Sequence, residues 1–420
     1  MRAQTISEKI LSRASGIEAT AGDIVVCAVD RILGTDASGP MAIDYFERMG
    51  GERLFDPARV MFALDHYSPP ASSATAAFHE RVRAFAVRYG ATLCGVGDGI
   101  SHQMAVERGW VLPGDLLIGA DSHTVTAGAL NAFATGVGSS DLAAAMITGR
   151  IWLRVPASIR VILTGARPRG VAAKDVALTL VGMLGGDGAN YQTIEFQGDA
   201  LGGLTLDDRL VLCNLAVEMG AKAAVCELDA VASAYLAEKT SHLGRPTSAD
   251  AGARYAREIV VDVSVLGARI ALPHAPDRVV PLADARGTPI QMVFIGTCAG
   301  GRVQDVHDAL AIIEHGGGRI APGVQLVVTL ASGEVQRHLD ADGSLARLRE
   351  LGAIITTAGC GACCGTSGVI PADGTNVIST ANRNFKARMG NASASIFLAS
   401  PAACAAAAVT GRITDPGTLT

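Results

Sequence analysis

Asp115-Leu-Leu-Ile-Gly-Ala-Asp121-Ser122-His123 sets the reading of the chain. A short apolar run gives way at once to an aspartate, a serine and a histidine. Such an unbroken run marks a strand covered on both faces, as in a parallel sheet. Its polar residues then fall at the carboxyl end, where open α/β sheets bind ligands. The pattern recurs upstream. Arg59-Val-Met-Phe-Ala-Leu64 ends in Asp65-His66, and Thr92-Leu-Cys-Gly-Val96 leads through Gly97-Asp-Gly-Ile to Ser101-His102. Each histidine alone can be a local hydrogen-bonding group. Three at strand ends of one domain point to a single polar site.

Composition bounds the rest. A chain of 420 residues calls for two or three domains. Half the residues are apolar, yet only 4% are aromatic, so Gly and Ala must fill close-packed helix-on-sheet layers. A net charge of −5 argues against nucleic acid as the main partner. The nine cysteines are odd in number and spread through apolar runs, with no secretory leader before them, which places the chain in a reducing cytoplasm. Thr5-Ile-Ser-Glu8 reads as a capping box that opens a helix. The apolar stretch Ala392–Val409 is broken by Ser393, Ser395, Ser400 and Pro401, and reads as strand, turn and helix rather than a membrane span.

In the first domain, 1–157, Asp23–Val29 reads as a further buried strand, and Ala74–Tyr89 and Ser140–Leu153 as helices. The second, 158–278, opens on the strand Ser158–Gly165. It continues through a helix at Lys174–Leu184, the strand Thr193-Ile-Glu195-Phe, a helix at Asp207–Glu218 and a strand from Ala223. A buried mid-strand carboxylate such as Glu195 needs a partner or a task. The third, 279–420, follows a proline-rich crossing. Its strands end at Cys298, before Cys360 and before Arg383. Cys27, Cys94, Cys213, Cys226 and Cys404 read as buried thiols, and His79, His242, His274, His307, His315 and His338 as solvated side chains.

Cys360-Gly-Ala-Cys363, with Cys364 beside it, and the distant Cys298 make three thiols besides that neighbour. Zinc sites usually pair two C-x-x-C knuckles, and here there is one. A thioredoxin-type pair needs no distant third cysteine. Three unrelated buried thiols remain an alternative. Iron–sulfur clusters also take thiolates at glycine-rich turns, and three would hold three corners of a [4Fe–4S] cube with the fourth iron open to substrate.

Gly119-Ala-Asp-Ser-His-Thr124, Gly296-Thr-Cys298, Cys360-Gly-Ala-Cys363 and Asn382-Arg-Asn-Phe385 together resemble the aconitase superfamily. The resemblance runs from Thr5 to Ala402. The length and the sequence around Gly287-Thr-Pro-Ile290 are similar to the large subunits of the 3-isopropylmalate dehydratase and homoaconitase group. It implies three α/β domains around a central Fe–S cluster, without a fourth, swivelling domain. It implies a [4Fe–4S] cluster on Cys298, Cys360 and Cys363, with one iron not held by cysteine and Cys364 as a neighbour. The reaction it implies is reversible dehydration of a β-hydroxy di- or tricarboxylic acid such as 3-isopropylmalate. Homoaconitase, 2,3-dimethylmalate-type dehydratase and another malate-derivative dehydratase are the alternatives within the class, and a cluster-free RNA-binding regulator is one outside it. Asp65, His66 and His102 would surround the leaving hydroxyl. Asp121 and His123 would organise water, with Glu195 nearby, and Ser122, Arg383 and Arg388 would bind substrate carboxylate. A separate small subunit would supply the catalytic serine. One departure stands out: the family's Ser-Cys-Thr-Asn is here Thr297-Cys298-Ala299-Gly300.

Overall fold

The structure, a computed structural model, describes residues 2–419. Among these residues it builds three main sheets and one two-stranded ribbon, in a mixed α/β arrangement. The first sheet is fully parallel, in the order Thr92–Cys94, Val60–Ala63, Arg31–Thr35, Leu116–Gly119, Phe133–Gly136. All four residues of Leu116–Gly119 are buried, as its unbroken apolar run requires. The strand at the centre, Arg31–Thr35, is absent from the sequence reading, because Arg31 and Gly34 interrupt its apolar pattern.

Asp23–Val29 does not enter that sheet. Its core, Ile24–Ala28, pairs antiparallel with Arg150–Arg154, and both strands alternate between exposed and buried positions. The expected helix Ser140–Leu153 is correspondingly shorter. It runs over Ser139–Thr148 and stops at Gly149, whose φ of 68° is left-handed and caps the helix. The residues beyond, with Ile151 and Trp152, then suit an extended strand.

The second sheet is also parallel: Ala223–Cys226, Thr193–Gln197, Ser158–Thr164, Arg257–Asp262. The third has seven strands. Ser395–Leu398, Asn376–Ser379, Met292–Ile295, Gln325–Thr329 and Ile354–Thr356 run parallel, and Arg269–Ala271 and Val279–Pro281 extend the edge antiparallel. Arg269–Ala271 therefore lies in the third sheet, although it precedes the sequence boundary at 278. The C-terminal stretch forms the strand Ser395–Leu398 and the helix Pro401–Thr410. No helix among the described residues is long and apolar enough to cross a membrane.

One core joins the three sheets. Leu33 and Met61 of the first, Val161 and Ile194 of the second, and Phe294 and Val327 of the third belong to the same buried cluster. The carboxyl ends of strands in the first and third sheets face a common centre.

Candidate active site

Six strand ends meet there. Val60–Ala63 is followed by Asp65 and His66, and Leu116–Gly119 by Asp121, Ser122 and His123. His102 sits in the first turn of the helix Ser101–Glu107, two residues past the glycine-rich turn that follows Thr92–Cys94. Met292–Ile295 leads to Cys298, Ile354–Thr356 to Cys360 and Cys363, and Asn376–Ser379 to Arg383. His66, His102, Asp121 and His123 line one cavity of about 100 Å³ together with the cysteines at 298, 360, 363 and 364, Asn382, Arg383 and Arg388.

Asp121 is the hub of the polar side. One carboxylate oxygen lies 3.1 Å from His102 Nε2 and accepts the His123 backbone N–H at 2.7 Å; the other lies 3.3 Å from His66 Nε2. Burial opposes its ionisation, but hydrogen bonds from His102, His123 and His66 outweigh burial and hold the carboxyl well below the usual range. His66 Nδ1 is 2.7 Å from Asp65, whose second oxygen accepts the Ser101 N–H. Burial works against a charge on His66. Cys360 when ionised, the Asp65 carboxylate and the hydrogen bond to Asp121 prevail over burial, and its pKa stands well above the ordinary imidazole value.

A further carboxylate holds this arrangement from behind. Asp36 accepts the backbone N–H groups of His66 and Tyr67, each at 2.9 Å, and lies 2.8 Å from His79 Nε2. His79, expected in solvent, is 1% exposed. The helix Ser73–Tyr89 buries it against Asp36, where the pair satisfy each other.

Glu195 is not at the site. It is fully buried, and its carboxylate accepts the N–H groups of Ile6 and Ser7 and the hydroxyls of Ser7 and Ser158. It anchors the N-terminus of the helix Ile6–Ser15, whose first N–H groups have no partner within the helix. The acid beside the cavity is Glu218. Its carboxylate lies 3.1 Å from His123 Nε2 and accepts Arg383 Nε at 2.7 Å. Burial raises its pKa, but His123 and Arg383 outweigh it and leave the group lowered. Arg383 Nη2 also donates to Ser122 Oγ at 3.0 Å. Asn214, four residues before Glu218, donates to Cys298 Sγ at 3.1 Å. Their i, i+4 spacing in a helical stretch was the signal available in the sequence, since it puts both side chains on one face.

The thiols fit an iron–sulfur cluster. Cys298, Cys360 and Cys363 share the cavity, and N–H donors point at their sulfurs: Asn214 and Asn382 at Cys298, and Arg388 Nη2 at Cys363 at 3.5 Å. Donors of this kind stabilise metal-bound thiolate. Burial pushes the Cys298 and Cys360 thiols up, so a bound metal is what would ionise them. Asp65, His66 and Cys360 also bring one ligand atom each within 4.8 Å of one another. Cys364 lines the cavity, and its sulfur lies 2.9 Å from Thr366 Oγ1.

The Cys298 loop is tightly fixed. Thr297 adopts a left-handed φ of 75°. Arg302, 2% exposed, donates through Nη2 to the Cys298 carbonyl at 2.7 Å and through Nε to Gln103 at 3.0 Å. Gln103 in turn donates to Glu107, which accepts Ser332 Oγ. This buried chain ties the helix that carries His102 to the loop that carries Cys298. At Gly300 a Cβ would lie 2.3 Å from the Thr380 Cβ, so this position has no room for a side chain.

Residues 8–411 match the aconitase family (aconitate hydratase). The chain is 44% identical to the 3-isopropylmalate dehydratase large subunit 1 of Methanopyrus kandleri, covering 98% of this chain and 99% of that protein. It is 44% identical to large subunit 2 of the same name from Archaeoglobus fulgidus, with 98% and 99% covered. It is 41% identical to the corresponding large subunit of Nitratidesulfovibrio vulgaris Miyazaki F, with 99% and 100% covered. Its fold is similar to that of Thermococcus kodakaraensis aconitase X in its holo-form, with a TM-score of 0.52, 13% identity, and 90% and 88% of the two chains covered.

Proposed function

The chain belongs to the aconitase family, and from that premise we infer that it is the large subunit of a 3-isopropylmalate dehydratase-type hydro-lyase. The observation that carries this reading is the joining of Asp121 to three histidines in the cavity that also holds the three thiols and Arg383.

Cys298, Cys360 and Cys363 would hold a [4Fe–4S] cluster with one iron free of cysteine. That iron, when bound, supplies a Lewis acid for the substrate hydroxyl. The remaining work falls to side chains. A hydroxy di-acid brings two negative charges into a net acidic chain, so local cations must attract it. Arg383 and Arg388 line the cavity and would pair its carboxylates. Ser122 and Glu218 orient Arg383 through its Nη2 and Nε. Hydroxide leaves only when protonated. His66, held by Asp65, and His102, held by Asp121, would give that proton, and the carboxylates of Asp65 and Asp121 beside His66 favour its protonated form. In the reverse direction the same groups take it back from water. His123, between Asp121 and Glu218, keeps both carboxylates ionised and fixed.

The curated relatives are large subunits by name. A companion small subunit would bring the serine that removes the α-proton and would complete the pocket. The test is an anaerobically reconstituted complex of this chain with that subunit, assayed on 3-isopropylmalate by the ultraviolet absorbance of the unsaturated product, alongside homocitrate-type and 2,3-dimethylmalate-type acids. Turnover of 3-isopropylmalate at least 100-fold above the others is expected. Preference for another acid would reassign the substrate, and full activity without the small subunit would remove the partner.

A further inference from the structure

One surface outside the cavity departs from what water-facing strands should carry. In the ribbon of Ile24–Ala28 and Arg150–Arg154, the inward residues are buried and the alternate ones face out. Outward positions on such a ribbon are ordinarily polar. Here Ile24, Val26 and Trp152 stand outward, exposed at 71%, 55% and 61%. Val26 lies directly opposite Trp152 in the register, which makes the apolar surface continuous. Beside it, the Arg154 guanidinium sits 4.4 Å from the centre of the Tyr191 ring. Exposed apolar surface that brings Trp, Tyr and Arg together has the composition of a protein-binding hot spot.

The surroundings select the occupant. Trp152 and Tyr191 line a groove of about 490 Å³ that also reaches Asp121 and Ser122. Asp121 lines the reactive cavity as well, and Ser122 holds Arg383. A body seated on the ribbon thus has a path along the groove to the reacting groups. The geometry points to the ribbon face as the seat of the companion small subunit, which packs apolar side chains on Val26 and Trp152 and extends a segment along the groove to Ser122. This assignment rests on the hydro-lyase reading above.

The full-length chain, reconstituted anaerobically, is titrated with the small subunit from the same organism, and the dissociation constant is measured for wild type, Val26→Asp and Trp152→Ala. Both substitutions lie outside the cavity, so the visible absorbance of the cluster should not change. Each should weaken binding by about 30-fold or more, as loss of a hot-spot residue does. Equal affinity in both variants would overturn the assignment. So would a wild-type chain that dimerises through this face, made monomeric by Val26→Asp, with small-subunit binding intact. If wild type binds no small subunit, the hydro-lyase reading falls together with this one, a result distinct from tight binding that ignores the ribbon. Trp152→Ala removes an exposed side chain and carries the test alone should Val26→Asp not fold.

Discussion

Arg383 of the third sheet's loop donates through Nε to Glu218, which follows the helix Leu206–Leu215 of the second, at 2.7 Å. The pair fixes the cation that faces the cavity. Glu218→Gln keeps the shape but loses the charge that holds both Arg383 and His123. Activity should fall about 100-fold, the scale of a displaced acid–base group, with KM for the hydroxy acid raised and the melting temperature little changed. Unchanged KM would separate Glu218 from substrate binding.

Glu195→Ala should do the reverse. It leaves the first N–H groups of the helix Ile6–Ser15 and the Ser7 hydroxyl without their buried acceptor, and leaves Ser158 only Thr5. A loss of about 3 kcal/mol is expected from breaking such a network, read as a lowered urea midpoint. The folded fraction should keep its kcat. A selective loss of kcat would return Glu195 to the site.

Cys360 and Cys364 should separate cleanly. Cys360→Ser should lose the iron and the visible absorbance of the cluster. Cys364→Ser should retain most of both, because its thiol proton goes to Thr366 Oγ1, whose own proton is given to the His66 carbonyl. Iron analysis of both variants decides it; total loss in Cys364→Ser would move the ligand set to positions 360 and 364.

Arg302→Met should cost stability and quicken cluster loss in air. It strands the Cys298 carbonyl and Gln103 in a buried region. The penalty expected for one unsatisfied buried group is about 1–3 kcal/mol. Arg302→Lys reaches one partner and should recover only part. The half-life of the cluster absorbance under air measures the effect, and a half-life equal to wild type would show the tie is not used.

Burial raises the carboxyl of Asp175 from 3.8 to about 6. The native state therefore holds this proton where the unfolded chain has released it. The associated stability is complete below about pH 4 and is lost as pH rises through about 6. Asp175→Asn cannot ionise, so relative to wild type its urea midpoint should improve between pH 4.5 and pH 7. A constant difference across that interval would refute the shift.

Much of the site was legible because it sits at strand ends. Unbroken apolar runs located the strands before Asp65, Asp121 and Cys298, and the polar residues beyond them converge as that topology demands. What the sequence concealed depends on packing across domains. Glu195 and Glu218 are both buried acids of the segment that forms the second sheet and its helices, and only the approach of the helix Ile6–Ser15 to one and of Arg383 to the other tells them apart. His79 looks like any helix histidine until Asp36 is placed against it. The central strand Arg31–Thr35 owes its place to the partners on either side, Val60–Ala63 and Leu116–Gly119, more than to its own pattern.

Gly300 and Thr380 share one volume, and this constrains the route by which the loop can change. An asparagine at 300 would drive its Cβ into Thr380, while the Thr380 hydroxyl is bonded to both the N–H and the carbonyl of Gly296. Neither substitution is neutral alone: the first collides, and the second strands the backbone before Cys298. Descent through single mutations is therefore ratcheted at this pair. Positions 300 and 380 act as one unit, and a side chain enters at 300 only if 380 changes with it.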